Sequence, residues 1–121
     1  MRAKLLIVDD EPEVLKSLAR LLKKHFELHL FDNAEEALAF LTNTHCHLIL
    51  SDMKLPGMNG AEFLNHATKL SPLSKKVVLT GHADIDEAKD VVNNANISRY
   101  FTKPWQNKEL VPESWSKLTQ K

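Results

Sequence analysis

Short aliphatic runs alternate along the chain with longer segments in which apolar residues recur at helical spacing. The runs are KLLIV, ELHLF, LILS, KVVLT and RYFTK, and the helical segments that follow them cover residues 13–25, 34–42, 61–70, 84–94 and 108–119. Five strand–helix units in this order predict an α/β fold built on a parallel sheet.

The composition of the runs predicts the order of the strands. Residues 5–8, 48–50 and 77–79 are wholly apolar, as in strands covered on both faces. Glu27 and His29 interrupt the second run, as in an edge strand. With right-handed crossovers, the order 2-1-3-4-5 places the three apolar strands in the middle. This doubly wound, flavodoxin-like order reverses direction between strands one and three, where a ligand crevice is expected at the carboxyl ends.

Local signals mark the helix starts and one turn. Pro12 suits the first turn of a helix, and Asn33 and Asn59 are predicted N-caps. In LPGM, Pro56 and Gly57 predict a type II turn. The apolar face of helix 13–25 is predicted to lie in the core and consists of Val14, Leu15, Leu18, Leu21 and Leu22.

Size and charge limit the functions that the chain can have. Its 121 residues suit a single domain, 1–121, which could also be a piece of a longer regulator. Sixteen basic residues balance sixteen acidic ones, so no net basic field is available for direct nucleic-acid or membrane binding. The one cysteine, Cys46, excludes an internal disulfide, and no segment is apolar enough to span a bilayer. We expect a cytoplasmic protein.

Polar residues follow the strands that are predicted to share one edge of the sheet. They are Asp9, Asp10 and Glu11 after strand one, Asp52 after strand three, Thr80 and Gly81 after strand four, and Lys103 and Pro104 after strand five. Taken singly, each could be an ordinary turn former, a cap or a solvent-facing strand residue. Together they predict a functional site at the switch point of the sheet.

The residue types at this site favour phosphoryl chemistry with a metal ion. Asp9, Asp10 and Asp52 would repel one another, and Lys103 would offset only part of that repulsion. Hard carboxylate oxygens without clustered His or Cys favour Mg²⁺. A carboxylate beside Mg²⁺ can attack phosphorus in line and form an acyl phosphate, whose oxygens the Thr80 hydroxyl and the Lys103 ammonium can hold.

The motifs LLIVDDEP, LILSDMKLPGMNG, VVLTGHAD and YFTKPW occur in this order along the chain. With these motifs the chain resembles the receiver domain of two-component response regulators, and the resemblance covers nearly the whole chain. The resemblance implies that Asp52 accepts a phosphoryl group from a sensor histidine kinase or a phosphotransfer protein. It also implies control of an output domain or partner protein, with homodimerisation on phosphorylation as one form of that control.

The same resemblance implies roles for single residues. Asp10 and Asp52 would bind Mg²⁺ directly with the backbone carbonyl of Lys54, while Asp9 would act through metal-bound water. Lys103 would bind the phosphoryl group, and its bond to Pro104 is expected to be cis. The switch pair would be Thr80 and Tyr100, with Thr80 moving toward the phosphoryl oxygen. The residues alone do not predict the role of Tyr100, since an aromatic side chain in a last strand ordinarily packs.

One position departs from the usual receiver pattern, two affect a property that varies within the family, and one short segment has the composition of a metal site. Pro112 falls within the fifth predicted helix, which would start late or kink there. His82 and Lys54 occupy positions that influence phosphate lifetime in the family. HCH at 45–47 is similar to a metal-binding fragment, but side chains that enter a strand alternate between opposite faces, which argues against a metal site.

Two other functions are alternatives to a phosphorylatable switch on this fold. A phosphatase of the haloacid-dehalogenase type also uses an aspartyl phosphate and Mg²⁺, but VDDEP lacks its Asp-x-Asp spacing and the chain offers no cap domain. A binding module on the same fold would never be phosphorylated. We predict a signalling domain rather than an enzyme, with self-phosphorylation and slow self-dephosphorylation as its only chemistry.

Overall fold

The computed structural model describes residues 3–81 and 99–103, with the backbone alone at positions 99 and 100. Within these ranges the elements are β1 (Ala3–Val8), α1 (Pro12–Leu22), β2 (Phe26–Phe31), α2 (Ala34–Leu41), β3 (Leu48–Asp52), α3 (Gly60–Leu70), β4 (Lys75–Gly81) and β5 (Arg99–Lys103). The helices predicted at 84–94 and 108–119 lie outside the described residues, as do His82, Pro104 and Pro112.

The five strands form one parallel sheet in the order β2-β1-β3-β4-β5, so the predicted fold and strand order are confirmed. The apolar strands β1, β3 and β4 lie inside the sheet, and β2, with its polar Glu27 and His29, lies at an edge. Every crossover in a parallel sheet returns the chain to the same end, so all carboxyl ends meet at one rim.

Side-chain alternation along the strands builds an apolar core on each face of the sheet. Leu5 and Ile7 pack on the same side as α1, while Leu6 and Val8 pack on the side of α2 and α3. All four strand residues are fully buried. Burial of a side chain of this size stabilises the fold by about 1.5–3 kcal/mol, so the two cores hold the central strands firmly.

The helices begin where the sequence predicts. Pro12 lies in the first turn of α1, and the side chains of Asn33 and Asn59 accept hydrogen bonds from the amides of Glu36 and Glu62 at 2.8 and 2.9 Å. These bonds satisfy amides that lack a partner within the helix. Among the residues that the structure describes, no helix is long and apolar enough to cross a membrane.

The C-terminal boundary of α1 differs from the prediction by three residues, more than any other helix boundary within the described residues. The segment expected to be helical over 13–25 ends as a helix at Leu22. The chain turns at Lys23, and β2 begins at Phe26, whose side chain is buried in the core beside α1. The helix therefore has to stop early enough for Phe26 to join the sheet.

Candidate functional site

The carboxyl ends of the strands bring the predicted site residues to one rim. Asp9 directly follows β1, while Asp52 and Lys103 are the last residues of β3 and β5. In the register of the sheet, Asp52 lies beside Leu79 and Lys103 lies beside Gly81. Because β4 separates β3 from β5 by a single strand, a long lysine side chain can reach across it to the acidic residues.

The Lys103 ammonium lies at the centre of the site. Its Nζ is 3.0 Å from Asp9 Oδ2, 3.0 Å from Asp52 Oδ2 and 3.1 Å from Glu11 Oε1. The Asp9 side chain is 1% exposed and that of Asp52 is 9% exposed, whereas that of Glu11 is 60% exposed. One cation therefore contacts three carboxylates, two of them largely removed from water.

Burial and the neighbouring charges shift the pKa values of Lys103 and Asp9 in opposite directions. Burial lowers the pKa of Lys103, but the negative charges of Asp9 and Asp52, in contact with its ammonium, outweigh burial and hold the pKa above its ordinary value. Burial raises the pKa of Asp9, and the Glu11 amide and Lys103 only partly reverse that increase. The lysine therefore stays charged, while the buried Asp9 carboxylate is incompletely stabilised.

Asp9 has one oxygen with a hydrogen bond and one without. Its Oδ1 accepts the backbone amide of Glu11 at 2.9 Å. Its Oδ2 is buried and accepts no hydrogen bond within the described residues, since Lys103 approaches it as an ion pair outside hydrogen-bond geometry. A buried carboxylate oxygen in this state can bind a further cation.

A group of four acidic side chains has the donor set for such a cation. Ligand atoms of Asp9, Asp10, Glu11 and Asp52 all lie within 4.8 Å of one another. All four offer hard carboxylate oxygens, the ligands that Mg²⁺ prefers, and Asp9, whose Oδ2 accepts no hydrogen bond within the described residues, is one of the four. The acidic group could therefore hold a metal ion. Sequence reasoning placed Glu11 at the rim but did not predict its contact with Lys103, for which the acidic run DDE was the only signal.

Lys54 and Thr80 lie near this centre, and Tyr100 lies three residues before Lys103 on β5. The amide of Lys54 donates to Asp52 Oδ1 at 3.3 Å, which fixes the start of the following loop beside the carboxylate. The hydroxyl of Thr80, a fully buried residue, donates to the Gly81 carbonyl at 3.4 Å, a long distance for a hydroxyl bond. The backbone of Tyr100 lies beside Val78 in the sheet. The predicted movements of Thr80 and Tyr100 stay predictions.

Two glycines shape the loop between β3 and α3. Gly57 has φ of 72°, as the third position of the predicted type II turn requires. At Gly60 an added Cβ would lie 2.2 Å from the Asp52 carbonyl oxygen and 2.7 Å from Met53 Cα. The N-terminus of α3 therefore packs against the backbone of Asp52 itself, an approach that only glycine allows.

The HCH segment does not form part of a metal group. The His45 and His47 rings meet with centroids 5.4 Å apart, while Cys46 is fully buried, as alternation predicts. His47 Nδ1 accepts the Lys4 amide at 3.0 Å, so the lone pair on that nitrogen is already in use. Within the described residues, the acidic group at the rim is the only set of three or more candidate metal ligands.

Comparison with known proteins decides the family. The sequence model of the response regulator receiver domain matches residues 5–113. The chain belongs to the response regulator receiver domain family. Receiver domains carry signals in two-component systems and are not enzymes in the ordinary sense, which agrees with the predicted class.

Relatives and solved structures agree with this assignment. The chain is 34% identical over 107 residues to the hydrogenase transcriptional regulatory protein HoxA of Bradyrhizobium diazoefficiens, covering 88% of the chain and 22% of HoxA. It is 30% identical to the transcriptional regulatory protein FixJ of Rhizobium meliloti, covering 87% of the chain and 52% of FixJ. A CheY-like receiver domain from Methanospirillum hungatei superposes with a TM-score of 0.88 at 35% identity, covering 98% of this chain and 94% of that one. The chain thus spans a fifth to a half of these curated relatives.

Proposed function

We propose that this receiver domain is a phosphorylatable signalling switch that accepts a phosphoryl group on Asp52 from a histidine kinase or phosphotransfer protein. The observation that carries the proposal is the position of Asp52 Oδ2, which lies 3.0 Å from the Lys103 ammonium within the acidic group at the rim. An anionic nucleophile, a fixed cation and a set of hard oxygen ligands are the parts that phosphoryl transfer needs.

The chemistry starts from the Asp52 carboxylate. One carboxylate oxygen forms a bond to phosphorus while the bond between phosphorus and the donor imidazole nitrogen breaks, and that nitrogen keeps the electron pair. The Lys54 amide holds Oδ1 of Asp52 in place during this exchange. The Lys103 ammonium then faces the new phosphoryl oxygens, and its charge offsets theirs.

Thr80 provides the connection from the phosphoryl group to the rest of the domain. The only hydrogen bond of the Thr80 hydroxyl within the described residues is the 3.4 Å bond to Gly81, so the hydroxyl can exchange it for a phosphoryl oxygen at little cost. Tyr100 lies one strand away on β5 and would respond to that movement. The readout is an output domain or partner protein, since the curated relatives are transcriptional regulators longer than this chain.

The acidic group fits Mg²⁺, with Asp9, Asp10, Asp52 and the Lys54 carbonyl as the residues that would hold it. The bound ion would supply positive charge that relieves carboxylate repulsion and balances the charge of the transferred group. Residues 1–121 would then form one phosphoacceptor domain that does not itself bind nucleic acid, and dimerisation on phosphorylation is one way in which it could act on its output.

Incubation with acetyl phosphate and Mg²⁺, followed by intact mass measurement, tests this function. We expect one phosphoryl group per chain, lost on treatment with hydroxylamine, because an acyl phosphate is a reactive mixed anhydride whose carbonyl carbon hydroxylamine attacks. Asp52→Ala should abolish incorporation. Glu27→Ala removes an exposed carboxylate near the start of β2, at the opposite end of the strand from the rim, and should leave incorporation unchanged.

Incorporation that survives in Asp52→Ala would rule out Asp52 as the acceptor. A wild-type chain that stays unmodified, and whose amide spectrum around Thr80 does not move with beryllofluoride and Mg²⁺, would contradict the proposed function altogether.

A further inference from the structure

Glu11 occupies a helix-capping position but uses its side chain elsewhere. It is the N-cap residue of α1, yet its side chain makes no capping hydrogen bond. The carboxylate instead reaches Lys103, with 3.1 Å between Oε1 and Nζ. The two residues are 92 positions apart in sequence, so this contact joins the two ends of the described chain across the site.

Asp9 sets the direction in which Glu11 points. The Oδ1 atom of Asp9 accepts the Glu11 amide at 2.9 Å, and its Oδ2 atom lies 3.0 Å from the Lys103 ammonium. Asp9, Glu11 and Lys103 therefore form a closed ring of contacts. Because Asp9 is buried, its hydrogen bond to the Glu11 amide fixes the Glu11 backbone. From that position the Glu11 side chain contacts Lys103.

The three carboxylate contacts of Lys103 differ in how easily they break. The Asp9 and Asp52 side chains are 1% and 9% exposed, so loss of their partner would leave a charge in a buried place. The Glu11 side chain is 60% exposed, and water can replace its partner at small cost. Glu11 is therefore the contact that an incoming anion can displace.

We propose that Glu11 holds Lys103 in the unphosphorylated receiver and competes with the phosphoryl group for its ammonium, so that it tunes how fast the domain is phosphorylated. The proposal rests on Asp52 phosphorylation as proposed above. Glu11 acts through Lys103 and is a positioning residue. If it acted instead as a metal ligand within the acidic group, its removal would slow phosphorylation.

Glu11→Gln and Glu13→Gln form a matched pair for the test. Both remove one negative charge from the start of α1, and Glu13 makes no ion pair with Lys103 within the described residues. Phosphorylation by acetyl phosphate is measured at a Mg²⁺ concentration that saturates each variant. Glu11→Gln should raise kcat/KM for the donor about two- to fivefold, the factor that corresponds to an exposed ion pair. Glu13→Gln should leave it at the wild-type value.

The ammonium of Lys103 gives a second readout that needs neither metal nor phosphate. In ¹H–¹⁵N spectra of the metal-free protein, the Lys103 Nζ resonance should shift, and its protons should exchange faster with water, in Glu11→Gln but not in Glu13→Gln. Equal rates and unshifted Nζ signals in the two variants would overturn the proposal, and so would slower phosphorylation in Glu11→Gln. If no variant takes up phosphate, the proposed function fails, while the metal-free spectra still decide whether Glu11 holds Lys103.

Discussion

At the scale of single residues, Lys76 is a charged side chain in the core. It is 1% exposed, and among the residues that the structure describes its Nζ donates one hydrogen bond, at 2.8 Å, to the Ser74 carbonyl. Burial lowers its pKa, and the charge of Lys75 adds to that effect. An ammonium that loses most of its hydration for one acceptor reduces the stability of the fold.

Lys76→Met should therefore stabilise the protein. Methionine keeps the length of the side chain and removes the charge, so we expect the free energy of unfolding near neutral pH to rise by about 1–2 kcal/mol. Urea denaturation measures the change. Lys75→Met is the control, because Lys75 is exposed and its removal should change stability by less than about 0.5 kcal/mol.

The buried charge of Lys76 also predicts a dependence of stability on pH. Since the pKa of Lys76 is lower in the folded protein than its ordinary value of 10.5, the unfolded chain binds more protons between those two pKa values. Wild-type stability should therefore rise as the pH increases toward 10.5, and the advantage of Lys76→Met should shrink over that range. An advantage that stays constant with pH would contradict a buried, charged Lys76.

At the scale of elements, the position of α3 depends on one glycine. Gly60 donates its amide to the Met53 carbonyl at 3.0 Å, and a Cβ there would overlap the Asp52 carbonyl oxygen. In a helix, alanine is ordinarily preferred to glycine by about 1 kcal/mol. Here the atoms in the way are backbone atoms of Asp52 and Met53, which cannot move aside as a flexible side chain can.

Gly60→Ala should thus destabilise the domain despite the better helix propensity of alanine. We expect a loss of about 1–3 kcal/mol in the free energy of unfolding, the range typical of overpacking, together with slower phosphorylation because Asp52 is displaced. Asn65→Ala introduces the same residue at an exposed position of α3 and should be neutral or slightly stabilising. A stabilised Gly60→Ala variant would show that helix propensity outweighs the clash.

These elements show what the sequence could and could not predict. The strand order followed from two physical facts: wholly apolar runs need cover on both faces, and parallel crossovers are right-handed. The same facts placed Asp9, Asp52 and Lys103 at one rim. The close packing at Gly60 and the ion pair between Glu11 and Lys103 depend on three-dimensional distances between residues. A pattern of polar and apolar residues does not contain those distances. Lys76 was not predicted to be buried, because lysines seldom are.

At the scale of the whole molecule, a metal ion bound by the acidic group would couple its binding to folding. Four carboxylates lie within 4.8 Å of one another, and of the described cations Lys103 is the one that pairs with three of them. Three of the carboxylates come from the segment after β1 and the fourth from the end of β3, so all four meet only in the folded chain. An ion that binds them binds the native state and not the separated segments.

Magnesium should therefore raise the stability of the domain. At a free Mg²⁺ concentration of 100 times Kd, the free energy of unfolding should increase by about 2.7 kcal/mol, as measured by urea denaturation with and without the ion. Asp10→Asn should abolish most of this gain and leave the metal-free fold intact, because Asp10 is exposed. Glu13→Gln lies outside the acidic group and should keep the gain. If Mg²⁺ stabilises Asp10→Asn as much as the wild type, the ion binds elsewhere, and the buried oxygen of Asp9 is satisfied by Lys103 alone.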